Sequence, residues 1–184
     1  MKILFVLEYY YPHIGGVETL FKTLAEGLVE RGHEVTVFTT RLKGYKEREV
    51  VNGVKIVRKK IPFNSRMLFS FYTIFDVLKL SKNFDIIHTT TYNASLPAYI
   101  AGKIRKKPVI ITFHEILGKL WFNLPRMNYF KALILYYTEQ LVMKRNFSKI
   151  ITVSNYTKNS LRIYGVKDEK LKRIYNFTDF YLYN

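Results

Sequence analysis

Two short stretches carry the residue types best suited to chemistry. Gly15-Gly16 precedes an amphipathic segment. A backbone without side chains can approach an anion there, and the helix start offers unpaired N–H groups. The pair is not a GxGxxG and lacks the lysine of a P-loop; a tight turn needing positive φ is its structural alternative. His114-Glu115 follows a buried apolar run. A histidine in such a loop can donate a hydrogen bond to a substrate hydroxyl or move a proton; a purely structural histidine is the alternative. His88 holds the analogous place on the preceding strand, and His13 lies in the first loop. The histidines are scattered without an HExxH, and cysteine is absent. No metal site, thiol catalysis or disulfide scaffold is therefore expected.

The elements that must position these residues alternate in hydrophobic period. Strands are predicted at Lys2–Leu7, Glu34–Thr39, Val54–Lys59, Asp85–Thr89, Pro108–Phe113, Lys149–Val153 and Lys172–Tyr175. Between them, Val17, Leu20, Phe21, Leu24, Ala25, Leu28 and Val29 share one face at helical spacing, with Gly32 as a stop. Further helices are predicted from Met67 to Leu78, near Leu96–Arg105, over Tyr129–Lys144, and from an N-cap at Ser154 or Asn155 to Tyr164. Strands alternating with helices imply parallel strands with right-handed crossovers. The expected fold is thus α/β, a doubly wound, Rossmann-like parallel sheet of six to seven strands with helices on both faces. Ligands of such sheets lie beyond the strands' carboxyl ends, near the switch in strand order. Glu8–Gly16, His88–Asn93, His114–Gly118 and Ser154–Thr157 should accordingly face one crevice.

With 184 residues, 48% hydrophobic and 24% charged, the chain suits one domain with a real core. No apolar run approaches the roughly 18 residues of a membrane span. The first strand meets Glu8 too early for a signal peptide, so a cytoplasmic protein is expected. Net charge is +16 and uneven: residues 1–60 contribute +4 and residues 103–173 contribute +12. Anionic lipid headgroups, phosphorylated sugars, nucleic acid or solvent alone would suit that surface. Trp121, Phe122, Leu124, Met127, Tyr129 and Phe130 alternate with Lys119, Arg126 and Lys131. Such a stretch suits a membrane interface; it could also form part of an interdomain contact or pack into the core, and packing is favoured here over the membrane. No nucleic-acid module pattern is present, so nucleic acid is not expected as a partner.

Taken in order, these segments resemble the N-terminal domain of family 4 glycosyltransferases, which are retaining enzymes of the GT-B fold. The matching residues are Tyr11–Glu18, Leu24–Leu28, Arg31–Val37, Phe84–His88, Thr112–Glu115 and Ile150–Ser154. The resemblance implies one half of a two-domain protein in which this half holds the acceptor. A nucleotide-sugar is the donor, and no metal or other cofactor is needed. The aromatic and basic residues of the cleft would suit a sugar, lipid-linked or polyanionic acceptor, at an anionic membrane surface on the cytoplasmic side. The resemblance implies donor phosphate or sugar contacts for Gly15, Gly16 and Glu115, with His114 catalytic at the transferred sugar. Acceptor contacts are implied for Tyr9, Glu18, Asn64, Arg66, His88 and Asn93. Residues 1–175 would form the domain and 176–184 the start of a linker to a donor-binding domain. Arg173–Asp179 departs from the family's Asn-Gly-Val-Asp linker, with Phe177 and Thr178 in place of Gly and Val. The family's phosphate clamp belongs to that second domain, so these 184 residues alone are expected to transfer no sugar. A recruitment subunit for an anionic membrane or a partner domain is the non-enzymatic alternative. A stand-alone nucleotide-binding protein is the other.

Overall fold

The computed structural model describes residues 1–176. Past Asn176, the expected linker lies outside the described residues. One eight-stranded sheet runs in the order β3-β4-β2-β1-β5-β6-β7-β8. The strands are β1 (Lys2–Val6), β2 (Glu34–Thr40), β3 (Arg48–Val51), β4 (Val54–Lys59), β5 (Ile86–Thr90), β6 (Val109–Phe113), β7 (Lys149–Thr152) and β8 (Leu171–Arg173). Every pairing is parallel except β3 with β4. The helices are α1 (Gly16–Glu30), α2 (Arg66–Tyr72), α3 (Ile74–Ser81), α4 (Ser95–Arg105), α5 (Tyr129–Met143) and α6 (Asn155–Ile163).

Strands buried on both faces read as unbroken apolar runs, and β1 shows why. Leu4 and Val6 pack on one side against Phe69, Val77, Ala98 and Ala101, whereas Ile3 and Phe5 pack on the other against Phe21 and Ala25 of α1. The α/β doubly wound architecture is as expected, with one more strand than the sequence suggested. The extra strand is β3, which returns as a hairpin onto β4. Its turn, Asn52-Gly53, has φ of 48° and 78° at the two residues, the positive pair that Asn-Gly supplies most readily. The predicted Met67–Leu78 helix is two helices. Thr73 separates them at φ −108°, and its buried hydroxyl donates to the Phe69 carbonyl at 2.7 Å, a competing bond that bends helices.

The strand order reverses between β1 and β5. Loops after β1, β5 and β6 therefore meet at one end of the sheet, as they must at a switch point. Among the described residues no helix is long and apolar enough to cross a membrane.

Candidate active site

At the switch point lies a crevice of about 140 Å³ whose walls include Glu8, Glu18, Arg66, Tyr92, His114 and Glu115. Its organising group is Glu8, which stands just past β1 and is only 6% exposed. One carboxylate oxygen accepts from Arg66 Nε at 2.6 Å. The other accepts from the Asn93 backbone N–H at 3.0 Å and from Asn93 Nδ2 at 3.4 Å. A buried carboxylate needs such partners; here they tie the first residue of α2 and the loop after β5 to the end of β1. Ser65 starts α2 by capping it, its Oγ accepting from the Leu68 N–H at 3.4 Å. That cap aims Arg66 at Glu8.

His114 sits one residue past β6, half-buried, and its Nε2 is buried without a hydrogen-bond partner among the described residues. Burial lowers its pKa, so the ring is neutral near pH 7 and can offer one donor and one acceptor. Its backbone carbonyl accepts from Thr157 Oγ1 at 3.4 Å. Ser154 N-caps α6, so the loop after β7 braces the His114 backbone from behind and does not line the crevice.

Across the crevice, α1 begins at Gly16 with no side chain capping its N-terminus. Neither Gly15 nor Gly16 is at positive φ, so a strained turn does not explain the pair. A Cβ at Gly16 would meet nothing within 4 Å, whereas one at Gly15 would collide with the Glu18 carboxylate at 2.2 Å. Gly16 thus leaves open space over a positive helix end, and Gly15 lets Glu18 fold back over it. Glu18 Oε1 lies 3.2 Å from His13 Nδ1, and His13 stacks on Tyr9 with ring centroids 4.6 Å apart. The Tyr9 hydroxyl donates to the Asn64 carbonyl at 3.2 Å.

The family model for glycosyltransferase family 4 matches residues 14–180. The chain belongs to glycosyltransferase family 4. It is 28% identical to an uncharacterized glycosyltransferase of Methanocaldococcus jannaschii, over 95% of this chain and 47% of that relative. A phosphatidyl-myo-inositol mannosyltransferase of Mycolicibacterium smegmatis is 33% identical over 65% of this chain and 32% of its own length. The fold matches the crystal structure of Anabaena HepE in complex with UDP-glucose, with a TM-score of 0.68 at 21% identity. That match takes in all of this chain and 46% of the other. This is the N-terminal domain of a family 4 glycosyltransferase, and it spans about half the length of the first relatives it matches.

Of the residues singled out in the family 4 domain's sequence, Tyr9, Glu18, Arg66, His114 and Glu115 come together on the crevice wall. Gly15 and Gly16 are not on that wall but directly precede Val17 and Glu18, which are, and Asn64 is tied to the wall residue Tyr9. Asn93 is tied to Glu8 and lines an adjoining groove. His88 does not reach the crevice. It lies inside β5, its Nε2 paired with Thr112 Oγ1 at 2.9 Å and its ring edge-on to Phe5 and Phe21. Burial, with His114 nearby, lowers its pKa to about 3.

Three buried polar residues that the sequence did not single out hold the site together. Glu8 is one; its signal is a lone carboxylate closing a fully apolar strand. Glu139 is the second, a carboxylate on an apolar helix, 3% exposed. It accepts from the Leu117 and Gly118 N–H groups at 3.0 and 2.7 Å and so fixes the loop that follows His114-Glu115. Burial raises its pKa against the pull of those two bonds. Arg58 is the third. Its Nη2 donates to the Tyr11 carbonyl at 2.8 Å and pairs with Glu49 at 2.6 Å, anchoring the loop that carries Tyr9 and His13.

Proposed function

We propose that the domain is the acceptor-side half of a retaining glycosyltransferase that draws on a nucleotide-sugar. One observation carries the reading. His114, whose Nε2 has no hydrogen-bond partner among the described residues, Val17 and Glu18 of the first turn of α1, and the fixed Glu8–Arg66 pair line one crevice at the switch point. In this reading the donor diphosphate lies over Gly16, where helix N–H groups and the helix dipole favour negative charge. Charge grows on that diphosphate as the bond from the anomeric carbon to its oxygen breaks, and preorganised donors lower the barrier most there. The new bond forms to an acceptor hydroxyl on the same face, and the acceptor proton leaves with the nucleoside diphosphate. His114 Nε2 holds a hydroxyl of the transferred sugar, with Glu115 beside it, and Arg66, Tyr9, Glu18, Asn64 and Asn93 frame the acceptor. No metal or other cofactor enters the reaction.

The second domain supplies the remaining phosphate contacts, so the 184-residue chain alone transfers nothing, and residues 176–184 begin the connection to it. The protein works in the cytoplasm, peripherally on an anionic membrane face. His114→Ala in the full-length protein should lower transfer from its nucleotide-sugar by roughly 100- to 1,000-fold while leaving its thermal unfolding in place. Full transfer by that variant, or transfer by the isolated chain, overturns the reading.

A second reading, recruitment to an anionic membrane without catalysis, is favoured by one observation. Phe130, Ile134, Tyr137 and Leu141 form an exposed stripe along α5.

A further inference from the structure

The crevice opens sideways into a larger groove of about 540 Å³ between the start of α2 and α5. That volume falls within the roughly 300–1,000 Å³ of small-molecule sites. Arg66, Tyr92 and Glu115 line both spaces, so the two are continuous. Their chemistry differs sharply. The groove walls are chiefly Met67, Trp121, Met127, Phe130, Ile134 and Leu135.

The apolar surface continues outside the groove. Phe130, Ile134, Tyr137 and Leu141 recur at helical spacing on α5, and all are exposed, Phe130 by 71%. Met67 and Phe71 do the same on α2. A helix turns such a stripe outward at a cost unless something covers it. The expectation that this stretch packs into the core holds only for Trp121; Tyr129 and Phe130 face outward. Lys119, Arg126 and Lys131 are exposed in the same region, and none has a carboxylate within ion-pair distance among the described residues. A surface that pairs apolar side chains with uncompensated cations complements an anionic lipid interface.

We infer that the groove is the site of a hydrocarbon chain belonging to an amphipathic lipid acceptor, whose hydroxylated head lies in the crevice against Arg66. Only the position of the head rests on the transferase reading. The shared wall sets the geometry: from a head at Arg66, the groove along Trp121 and α5 gives the chain an apolar path. The basic rim holds the protein against anionic headgroups while the lipid is drawn in.

Trp121 is the single tryptophan and lines the groove, so its fluorescence reports occupancy directly. The 184-residue chain would be titrated with octyl-, decyl- and dodecyl-β-D-glucoside below their micelle concentrations, and with glucose. The expected result is a saturable change in emission for the alkyl glucosides only, with affinity rising roughly tenfold for each two added carbons. Ile134→Asp should abolish the response. Phe130→Ala, at a side chain exposed enough to spare the fold, should weaken it several-fold, and Phe75→Ala, outside the groove, should leave it intact. An equal response to glucose, an absence of chain-length dependence, or unchanged binding in both groove variants overturns the inference. So does a dimer in sedimentation velocity that Phe130→Ala dissociates, since a second copy would then cover the face. The readout needs no sugar transfer. Failure here leaves His114 and Gly16 in their proposed roles, and failure of transfer leaves the chain site standing.

Discussion

The crevice and the groove share three side chains and are built on opposite principles. Each wall of the crevice is over-determined. Glu8 is held by two segments far apart in sequence, the loop after His114 is pinned by Glu139, and the loop bearing Tyr9 is anchored by Arg58. The groove's α5 wall is instead built mainly of apolar side chains, several of them exposed. A site that must place donors within tenths of an ångström needs its supporting segments held by buried polar bonds. One that takes a flexible chain needs area and adaptable side chains such as Met67 and Met127. The contrast predicts that the two regions respond to different perturbations.

The largest expected effect is acid's, and it acts on the sheet that carries both regions. His88 packs between β1 and β6, with a pKa near 3 against about 6.5 in an unfolded chain. Between those values the unfolded chain binds a proton that the folded chain refuses. Stability is therefore intact above pH 6.5 and falls by about 1.4 kcal/mol per pH unit toward pH 3. His114, also lowered by burial, adds in the same direction. Urea unfolding across that range should show this loss, and His88→Gln, which can still bond Thr112, should flatten it. A wild-type curve flat between pH 6.5 and 4 would show that the histidines are hydrated rather than buried.

Next in size is the Glu8 pair, where the two partners are unequal. Glu8 is buried and the Arg66 side chain is 60% exposed. Arg66→Ala leaves a buried carboxylate with only Asn93 to satisfy it, at a cost of about 2 kcal/mol. Removing charge at the buried end, by Glu8→Gln, leaves an arginine that water can solvate and should cost less. Chemical denaturation of both variants tests the order, and the reverse order would mean that Arg66, not Glu8, is the structural member. Because Arg66 lines both spaces, Arg66→Ala should also weaken alkyl-glucoside binding at the head, while the gain in affinity per added carbon stays.

Gly16 divides function from folding. Its φ is ordinary and the space beyond it is empty. Gly16→Ala should therefore raise helix stability by up to about 1 kcal/mol while lowering transfer by the full-length protein roughly tenfold. A variant that is both more stable and fully active would detach the donor from α1.

The same contrast decides how much of the molecule is legible in its residues. Strands buried on both faces and a helix with one apolar stripe leave local patterns, so the amino-acid sequence alone reveals seven of the strands and α1. The Asn52-Gly53 turn is an equally local signal, but β3 beside it is four residues long and only partly buried, so it shows no apolar run. His88 and His114 look equivalent in sequence yet end in different places, and the strand period explains it. His88 falls two residues before the end of β5, so it points into a packed face; His114 is one residue past β6 and escapes into the loop. The Glu8–Arg66–Asn93 cluster joins residues up to 85 apart. It exists only because the strand order places β5 beside β1, which no local pattern states.

The smallest expected effect lies on the groove's rim. A basic residue at an anionic surface contributes about 1 kcal/mol, screened within a Debye length of about 10 Å at 0.1 M salt. Lys131→Glu removes one such contribution and adds a repulsion, so binding to vesicles with 30% phosphatidylglycerol should weaken about tenfold or more. Raising salt to 0.5 M should erase most of the difference between wild type and variant, because the apolar stripe of α5 does not respond to screening. The two outcomes weigh the rim against the stripe. If salt abolishes binding by both proteins, charge alone holds the domain to the surface and the groove fills only after docking. If binding survives salt but is lost in Phe130→Ala, the hydrocarbon contact comes first, and the +12 carried by residues 103–173 serves to bring the domain to its surface faster.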